Sequence, residues 1–141
     1  MSLPLLNSAP KYELTVPSTK QKIRFRPFLV KEQKVLLLAY ETRDKKQIIQ
    51  AILDTISSCV EDSVKMTSLT TFDVDYIFTQ IRGKSVGEKV EISIPCKACE
   101  TPNDVNINLE QIEIEVEDKE KTVSITDEIS VKLKYPDYYT L

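Results

Sequence analysis

Two short stretches near the amino terminus alternate between apolar and polar residues. Residues 12–16 alternate in this way, and 22–26 does so again with Ile23 and Phe25 on its apolar side. A period of two is typical of a strand with one buried face, and the residue types at 17–21 are those of a turn. The pattern therefore predicts a β-hairpin, which Pro27 ends because proline has no N–H for a strand ladder.

The spacing of apolar residues then changes to the 3.6-residue period of helices. A first helix is expected at about 31–41, and a second at 45–60 is expected to begin at Asp44, whose carboxylate can cap free N–H groups. The first helix is expected to bury four residues, Val35, Leu36, Leu38 and Ala39.

A third helix is predicted after a polar loop at 61–72. Its apolar face recurs at helical spacing through Val74, Ile77, Phe78 and Ile81. Asp73 is expected to cap its start, and Gly83 to lie at its carboxyl end, where a left-handed residue is favoured.

From Glu88 onwards the apolar period returns to two. The alternation runs through 90–94, 105–109, 112–116, 123–125 and 129–133, which predicts an antiparallel β-meander of about five strands. Outward positions are rich in charged residues, as expected for a sheet with one packed and one wet face. The sequence thus predicts an α+β fold: an N-terminal β-hairpin and about three helices packed with an antiparallel meander.

The predicted organisation is one domain with short ends. Residues 1–10 are expected to form an extended arm, and 11–136 a single domain with a hairpin and helices at 11–87 and a sheet at 88–136. The tail at 137–141 is a candidate start of a further carboxy-terminal region.

Composition limits the class of protein. The chain has 141 residues, of which 41% are hydrophobic and 29% charged, and no apolar run approaches the roughly 20 residues that span a bilayer. No membrane or secretory segment is therefore expected. The net charge is −3, but residues 1–72 carry +4 and 73–141 carry −7. A basic half and an acidic half suit docking to oppositely charged protein surfaces. The alternative is that they are simply two solvated faces of the protein.

The residues that catalysis most often uses are missing from the sequence. It contains no histidine and only two glycines. These counts exclude Ser-His and Cys-His triads, a dinucleotide-binding fingerprint and a phosphate-binding loop. The chain is therefore not expected to be an enzyme or to bind a small-molecule substrate.

Three cysteines raise the question of a metal. Cys96 and Cys99 form a CxxC motif between two alternating strands, where a zinc ribbon places a knuckle, but no second pair and no histidine complete a tetrahedral site. They are weak metal candidates, and a residual zinc-ribbon-like CxxC hairpin that keeps its turn without zinc is expected instead. Cys59, on the second helix, is expected to be a buried structural thiol.

Several stretches together resemble one protein family. They are 16–38, with Arg-Pro-Phe-Leu-Val-Lys-Glu at 26–32; 72–88, with Arg-Gly-Lys-Ser-Val-Gly-Glu at 82–88; the CxxC hairpin; and 131–136. In order and spacing, residues 11–136 resemble the baseplate hub subunit and hub assembly proteins of T-even-type contractile-tail bacteriophages.

The resemblance implies a non-enzymatic role in tail assembly. The chain would be a baseplate hub component or a chaperone-like hub assembly factor that docks other hub and tail proteins. It would be found in the host cell cytoplasm during assembly and in the virion tail baseplate. The alternative from the residues alone is a zinc-ribbon-like nucleic-acid-binding or transcription accessory module, although the net acidity of the chain does not favour nucleic acid.

Candidate interaction residues are basic or lie beside basic positions. Arg24 and Arg26 form the polar side of the second strand, and Arg82 and Lys84 lie near the end of the third helix, where a cation also stabilises the helix itself. The full set is Arg24, Arg26, Phe28, Lys31, Arg82 and Lys84.

Overall fold

The computed structural model describes residues 9–62, 64–117 and 121–140. The helices in these ranges are α1 (Val30–Thr42), α2 (Lys45–Cys59) and α3 (Thr71–Val86). The strands are β1 (Tyr12–Thr15), β2 (Lys22–Phe25), β3 (Lys89–Pro95), β4 (Pro102–Asn108), β5 (Thr122–Ser124) and β6 (Ser130–Lys132). The predicted α+β class is confirmed. The arm predicted at 1–10 lies outside the described residues except for 9 and 10.

The strands of the described chain form three separate antiparallel pairs. β1 pairs with β2, β3 with β4 and β5 with β6, and each is a sheet of two strands. Val90 lies opposite Ile107 in the second pair, and Val123 lies opposite Val131 in the third. The single five-stranded meander is thus corrected: the carboxyl half has two independent pairs.

The predicted strand at 112–116 is the second correction. Among the strands of the described residues this segment has no partner, although Ile112, Ile114 and Val116 are half-buried and the residues between them are exposed. Ile114 and Val116 line a cleft with Tyr76 of α3. Apolar and polar residues alternate in this segment because an extended chain lies on an apolar surface. Such alternation does not require a β ladder.

The hydrophobic core lies between the first hairpin, α2 and α3. Its buried members are Leu14, Val16, Ile23, Phe25, Leu53, Ile56, Cys59, Val60, Leu69, Val74, Ile77 and Ile81. The end of α2 is joined to β2 by a bridge between Phe25 and Val60. Cys59 is fully buried, and desolvation raises the pKa of its thiol to about 11.

The burial predicted for α1 is only half right. Leu36 and Ala39 are buried, whereas Val35 is 50% and Leu38 63% exposed. Helix α1 contacts the rest of the chain mainly through α2, and a single neighbour covers only one side of a helix. The five consecutive apolar residues at 35–39 point to all sides of α1, so three of them stay exposed.

The start of α3 joins the helix to the first hairpin. Thr70, not Asp73, is the N-cap, and the Asp73 carboxylate returns to the Thr70 N–H at 3.0 Å. The same carboxylate accepts hydrogen bonds from the Ser18 N–H and hydroxyl at 3.0 and 2.5 Å. Asp73 is fully buried, so this network fixes the hairpin turn against α3.

The end of α3 also differs from the prediction. Gly83 lies within the helix, facing Leu109, and the helix ends at Gly87, whose φ is 142°.

Near the end of the described chain, Asp137 is buried and the Tyr138 hydroxyl donates to Asp75 at 2.6 Å. Within the described residues, no helix is both long and apolar enough to cross a membrane.

Candidate docking surface

Helix α1 carries an unusually apolar exposed surface. Six large apolar side chains at its start and along its length are about half exposed or more: Leu29, Val30, Val35, Leu37, Leu38 and Tyr40. The segment 35–40 of α1 is apolar on all sides, and a helical segment of this kind is normally buried on nearly all sides. The described part of the chain covers only the side that faces α2. We call these six residues the α1 surface.

A groove of about 450 Å³ runs along one edge of this surface, between α1 and α3. Its walls are mainly apolar, and no acidic side chain lines it. The lining residues are Phe28, Gln33, Leu36, Leu37, Tyr40, Phe78, Arg82 and Val86. We call this cavity the α1–α3 groove.

The start of α1 is held by a buried carboxylate. Glu32 is 6% exposed and accepts hydrogen bonds from Arg26 Nη2 at 3.0 Å and from the Leu29 N–H at 2.8 Å. Burial alone would raise the pKa of Glu32, but the hydrogen bonds from Arg26 and Leu29 outweigh it and lower the pKa. Glu32 is therefore charged at neutral pH and fastens α1 to the end of β2.

Phe28 is positioned by α3. Its N–H donates to the Ser85 hydroxyl oxygen at 3.0 Å, and that hydroxyl donates to the Ile81 carbonyl at 2.5 Å. The Phe28 ring is half-buried and packs against the core while lining the α1–α3 groove. The two walls of the groove are thus joined by a polar contact at one end.

Arg82 is the cation of the groove. Its guanidinium has no hydrogen-bond or ion-pair partner among the described residues, and the residue is exposed. Lys34, on the exposed side of α1, is likewise without a partner in this part of the chain. Lys31 lies 3.5 Å from Glu32 and is 73% exposed. The positive charge at Arg82 and Lys34 is available to a partner.

The other predicted interaction residues lie outside the groove. Arg26 is used within the chain: besides Glu32, its guanidinium donates to the Ser58 carbonyl at 3.0 Å. Arg24 lies 3.8 Å from Asp62, with its side chain 57% exposed. The two arginines predicted to share one basic face therefore have different surroundings, because Pro27 turns the chain after Arg26.

Lys84 is occupied by two carboxylates. Its ammonium contacts Glu110 and lies 2.8 Å from Glu88, and it sits 5.2 Å from the centre of the Tyr12 ring. The hydrogen bonds to Glu110 and Glu88 raise the pKa of Lys84. These contacts join the end of α3 to the turn after β4, so Lys84 stabilises the chain itself.

The two CxxC thiols lie at the tip of the β3–β4 hairpin. Backbone hydrogen bonds close the turn, from Cys96 to the Thr101 carbonyl and from Glu100 to the Cys96 carbonyl, both at 2.9 Å. Hydrogen bonds from Thr101 and Cys96 lower the pKa of the Cys99 thiol. Among the described residues, no group of three or more His, Cys, Asp or Glu side chains could hold a metal ion. Within the described residues the CxxC motif thus lies in a tight turn that carries two free thiols, Cys96 and Cys99.

Both carboxyl-half hairpins expose an apolar face. Ile92, Ile94 and Val105 share one face of β3–β4, and each is 40–50% exposed. On the β5–β6 hairpin, Ile129 is 57% and Ile125 65% exposed. Two-stranded hairpins are marginally stable alone, so these faces are further candidates for contact with a partner.

Sequence reasoning did not identify the α1 surface as a site. It assigned Val35 and Leu38 to the core and did not consider Leu37 or Tyr40. The available signal was the unbroken apolar run at 35–39, which exceeds what one neighbouring helix can cover. Such a run indicates that part of the helix surface is left uncovered by its neighbouring helix.

Comparison with known proteins gives one match. The model of a family described as T4 bacteriophage base plate protein matches residues 9–141. No curated protein and no solved structure matches the chain. The matched range includes the whole α1 surface and the α1–α3 groove.

Proposed function

The chain belongs to the T4 bacteriophage base plate protein family, and we propose that it is a baseplate hub component or a hub assembly factor. It acts by docking other tail proteins during baseplate assembly. The family makes it a component of the phage tail baseplate; the hub position and the docking role are our proposal.

The observation that carries the proposal is the α1 surface. Leu37 and Leu38 are 56% and 63% exposed although they lie on a helix that Glu32 holds to the end of β2. Each fully buried leucine contributes about 1.5–3 kcal/mol relative to an exposed one, so covering this surface would strongly favour association. Uncovered apolar residues of this density mark contact sites for proteins.

Charge supports a protein partner. Arg82 and Lys34 lie beside the apolar residues and have no partner in the described chain. An apolar centre with charged side chains at its margin is the usual composition of a protein interface. Of the six predicted interaction residues, we propose that Phe28, Lys31 and Arg82 contact a partner, while Arg26 and Lys84 support the fold and Arg24 is peripheral.

We further propose that the role involves no catalysis. The sequence contains no histidine, and the α1–α3 groove has no acidic lining residue to act as an acid or base. Membership of a baseplate family favours a structural role. Assembly would take place in the host cell cytoplasm, with the protein located in the virion tail.

Co-expression with the hub and tail proteins of the same phage tests the proposal. The chain is expected to co-purify with at least one of them as a complex of fixed stoichiometry by light scattering. Failure to co-purify with every tail protein would show that the docking role is wrong.

A pair of substitutions tests the surface that carries the proposal. Leu38→Asp places a charge on the α1 surface, and Tyr139→Asp places one at a similarly exposed position near the end of the described chain. Only Leu38→Asp is expected to remove the complex. Loss of the complex with Tyr139→Asp but not with Leu38→Asp would show that the contact does not lie on α1.

A further inference from the structure

We infer that the α1–α3 groove holds an amphipathic helix of a tail-protein partner, with an acidic side chain facing Arg82. This rests on the proposed docking role and adds the chemistry of the occupant. The shape, the polarity and the charge of the groove each favour this occupant.

The shape of the groove suits a helix. Its walls come from two helices, with Gln33, Leu37 and Tyr40 on α1 and Arg82 and Val86 on α3. The lining residues of each wall are spaced by three or four positions and extend over about two turns, or roughly 10–12 Å. Helix α2 packs against both α1 and α3, and Leu36 and Phe78, which line the groove, belong to one apolar cluster with Ala51 of α2. An added helix would complete a four-helix arrangement around the same apolar layer.

The polarity of the walls distinguishes a helix from an extended peptide. Gln33 and the Tyr40 hydroxyl are the main uncharged polar groups among the lining residues. An extended segment would leave most of its N–H and C=O groups unpaired against Phe28, Leu37 and Val86, and each such group costs free energy. A helix pairs these groups internally, so it can lie on apolar walls without that loss.

The charge of the groove selects an acidic helix over a basic one. Arg82 lines the groove without a partner, and Lys34 lies one turn before Leu37 and Leu38 on α1. A carboxylate in contact with a guanidinium forms a charge-assisted, often bidentate, hydrogen bond. A basic helix would bring like charges together there.

A second copy of the chain does not fit this description. Helix α1 is the helix of the described residues whose apolar side chains are largely free, and it carries Lys31 and Lys34 beside them. Helix α1 of another copy would bring Glu41 to the groove together with Lys31 and Lys34, so its net charge matches Arg82 less well than that of an acidic helix. The occupant is therefore a helix of a different tail protein.

Cross-linking locates the occupant. A photo-reactive amino acid replaces Leu37 in the full chain, which is co-expressed with the tail protein that co-purifies with it. The cross-link is expected in a segment of that protein with apolar residues at i, i+3, i+4 and i+7 and with Asp or Glu beside them. A cross-link in a strand, in a basic segment or in a second copy of the chain would overturn the inference.

A charge swap tests the Arg82 contact. Arg82→Glu is expected to weaken binding of the same tail protein at least tenfold at low salt, because the acidic residue of the helix then meets a carboxylate. Lys97→Glu, at the tip of the β3–β4 hairpin, makes the same change in net charge and is expected to leave binding unchanged. Changing the acidic residue of the cross-linked helix to lysine is expected to restore binding to the Arg82→Glu variant.

The two proposals can fail separately. If no tail protein binds the unmodified chain, the docking role itself is wrong. If a tail protein binds but Arg82→Glu and Lys97→Glu weaken it equally, or not at all, the docking role stands and the helix-in-groove inference is overturned.

Discussion

Replacement of Asp73 by alanine is expected to lower the free energy of unfolding by about 3–4 kcal/mol. The carboxylate is fully buried and accepts four hydrogen bonds, from the N–H and hydroxyl groups of both Ser18 and Thr70. A hydrogen bond to a charged group contributes about 1.5–3 kcal/mol. Ser18 and Thr70 are half-buried, so water can replace some of the lost partners. The total is therefore below the sum of four full contributions.

Urea unfolding followed by far-ultraviolet circular dichroism measures this loss. In a thermal unfolding experiment, the melting temperature of a chain of this length is expected to fall by about 10 °C. Hydrogen exchange adds a local measurement, because the Ser18 amide loses its acceptor on Asp73 and should exchange faster. Asp73→Asn, which keeps the volume but turns an NH₂ group toward these donors, is expected to recover only part of the loss.

Asp54→Ala is the matched control. Asp54 is exposed and accepts one hydrogen bond, from Gln50 one turn earlier on α2, at 2.8 Å. Its removal is expected to change the free energy of unfolding by less than about 0.5 kcal/mol. If Asp73→Ala costs no more than Asp54→Ala, the first hairpin is not held to α3 through Asp73, and the reasoning from burial and hydrogen bonding fails.

Three further predictions concern pH and backbone. Because the folded chain lowers the pKa of Glu32, its contribution is complete above pH 4.5 and is lost as the pH falls below that value; Glu32→Gln should flatten the acid side of the stability profile. An unchanged acid profile would contradict the role of the Arg26 contact. Burial and the hydrogen bond to Asp75 raise the pKa of Tyr138 from 10.0 to about 12, so stability should fall as the pH rises between these values, and less so in Tyr138→Phe. Equal slopes for the two proteins would refute this. Gly83→Ala should stabilise the chain by about 0.5–1 kcal/mol, because alanine favours helices and a Cβ there would lie at an ordinary 3.6 Å from Leu109. Gly87→Ala should destabilise it because φ is 142°, and denaturant titrations that rank the two variants the other way would show that one of these local arguments is wrong.

The elements that the sequence predicted well are those whose patterns are local. The first hairpin follows from period-two alternation, and α2 follows from its apolar stripe and from Asp44, which caps it by accepting from the Lys46 N–H at 2.9 Å. Each of these signals lies within a few residues of the element that it specifies. The resemblance to T-even-type baseplate proteins was confirmed by the family model that matches residues 9–141.

The features that the sequence did not predict depend on contacts between distant residues. Asp73 meets Ser18 across 55 positions, and Phe28 meets Ser85 across 57. Neither contact affects the spacing of apolar residues along the sequence, so that spacing could not predict it. The segment at 112–116 alternates like a strand but pairs with no strand of the described residues. Which side of an apolar helix is covered is likewise decided by its neighbours, and for this reason Val35 and Leu38 were wrongly assigned to the core.

The two kinds of exposed apolar surface have different consequences for binding. The α1–α3 groove is held by Glu32 at the start of α1 and by the Phe28–Ser85 contact between its walls. Its shape therefore exists before a partner arrives, and binding loses little conformational entropy. The β3–β4 and β5–β6 hairpins are sheets of two strands each. A two-stranded hairpin is only marginally stable by itself, so a partner that covers one of these faces also has to hold the hairpin in its conformation, which offsets part of the free energy of burial. For the same apolar area, binding at the groove is therefore expected to be tighter than binding at the hairpins.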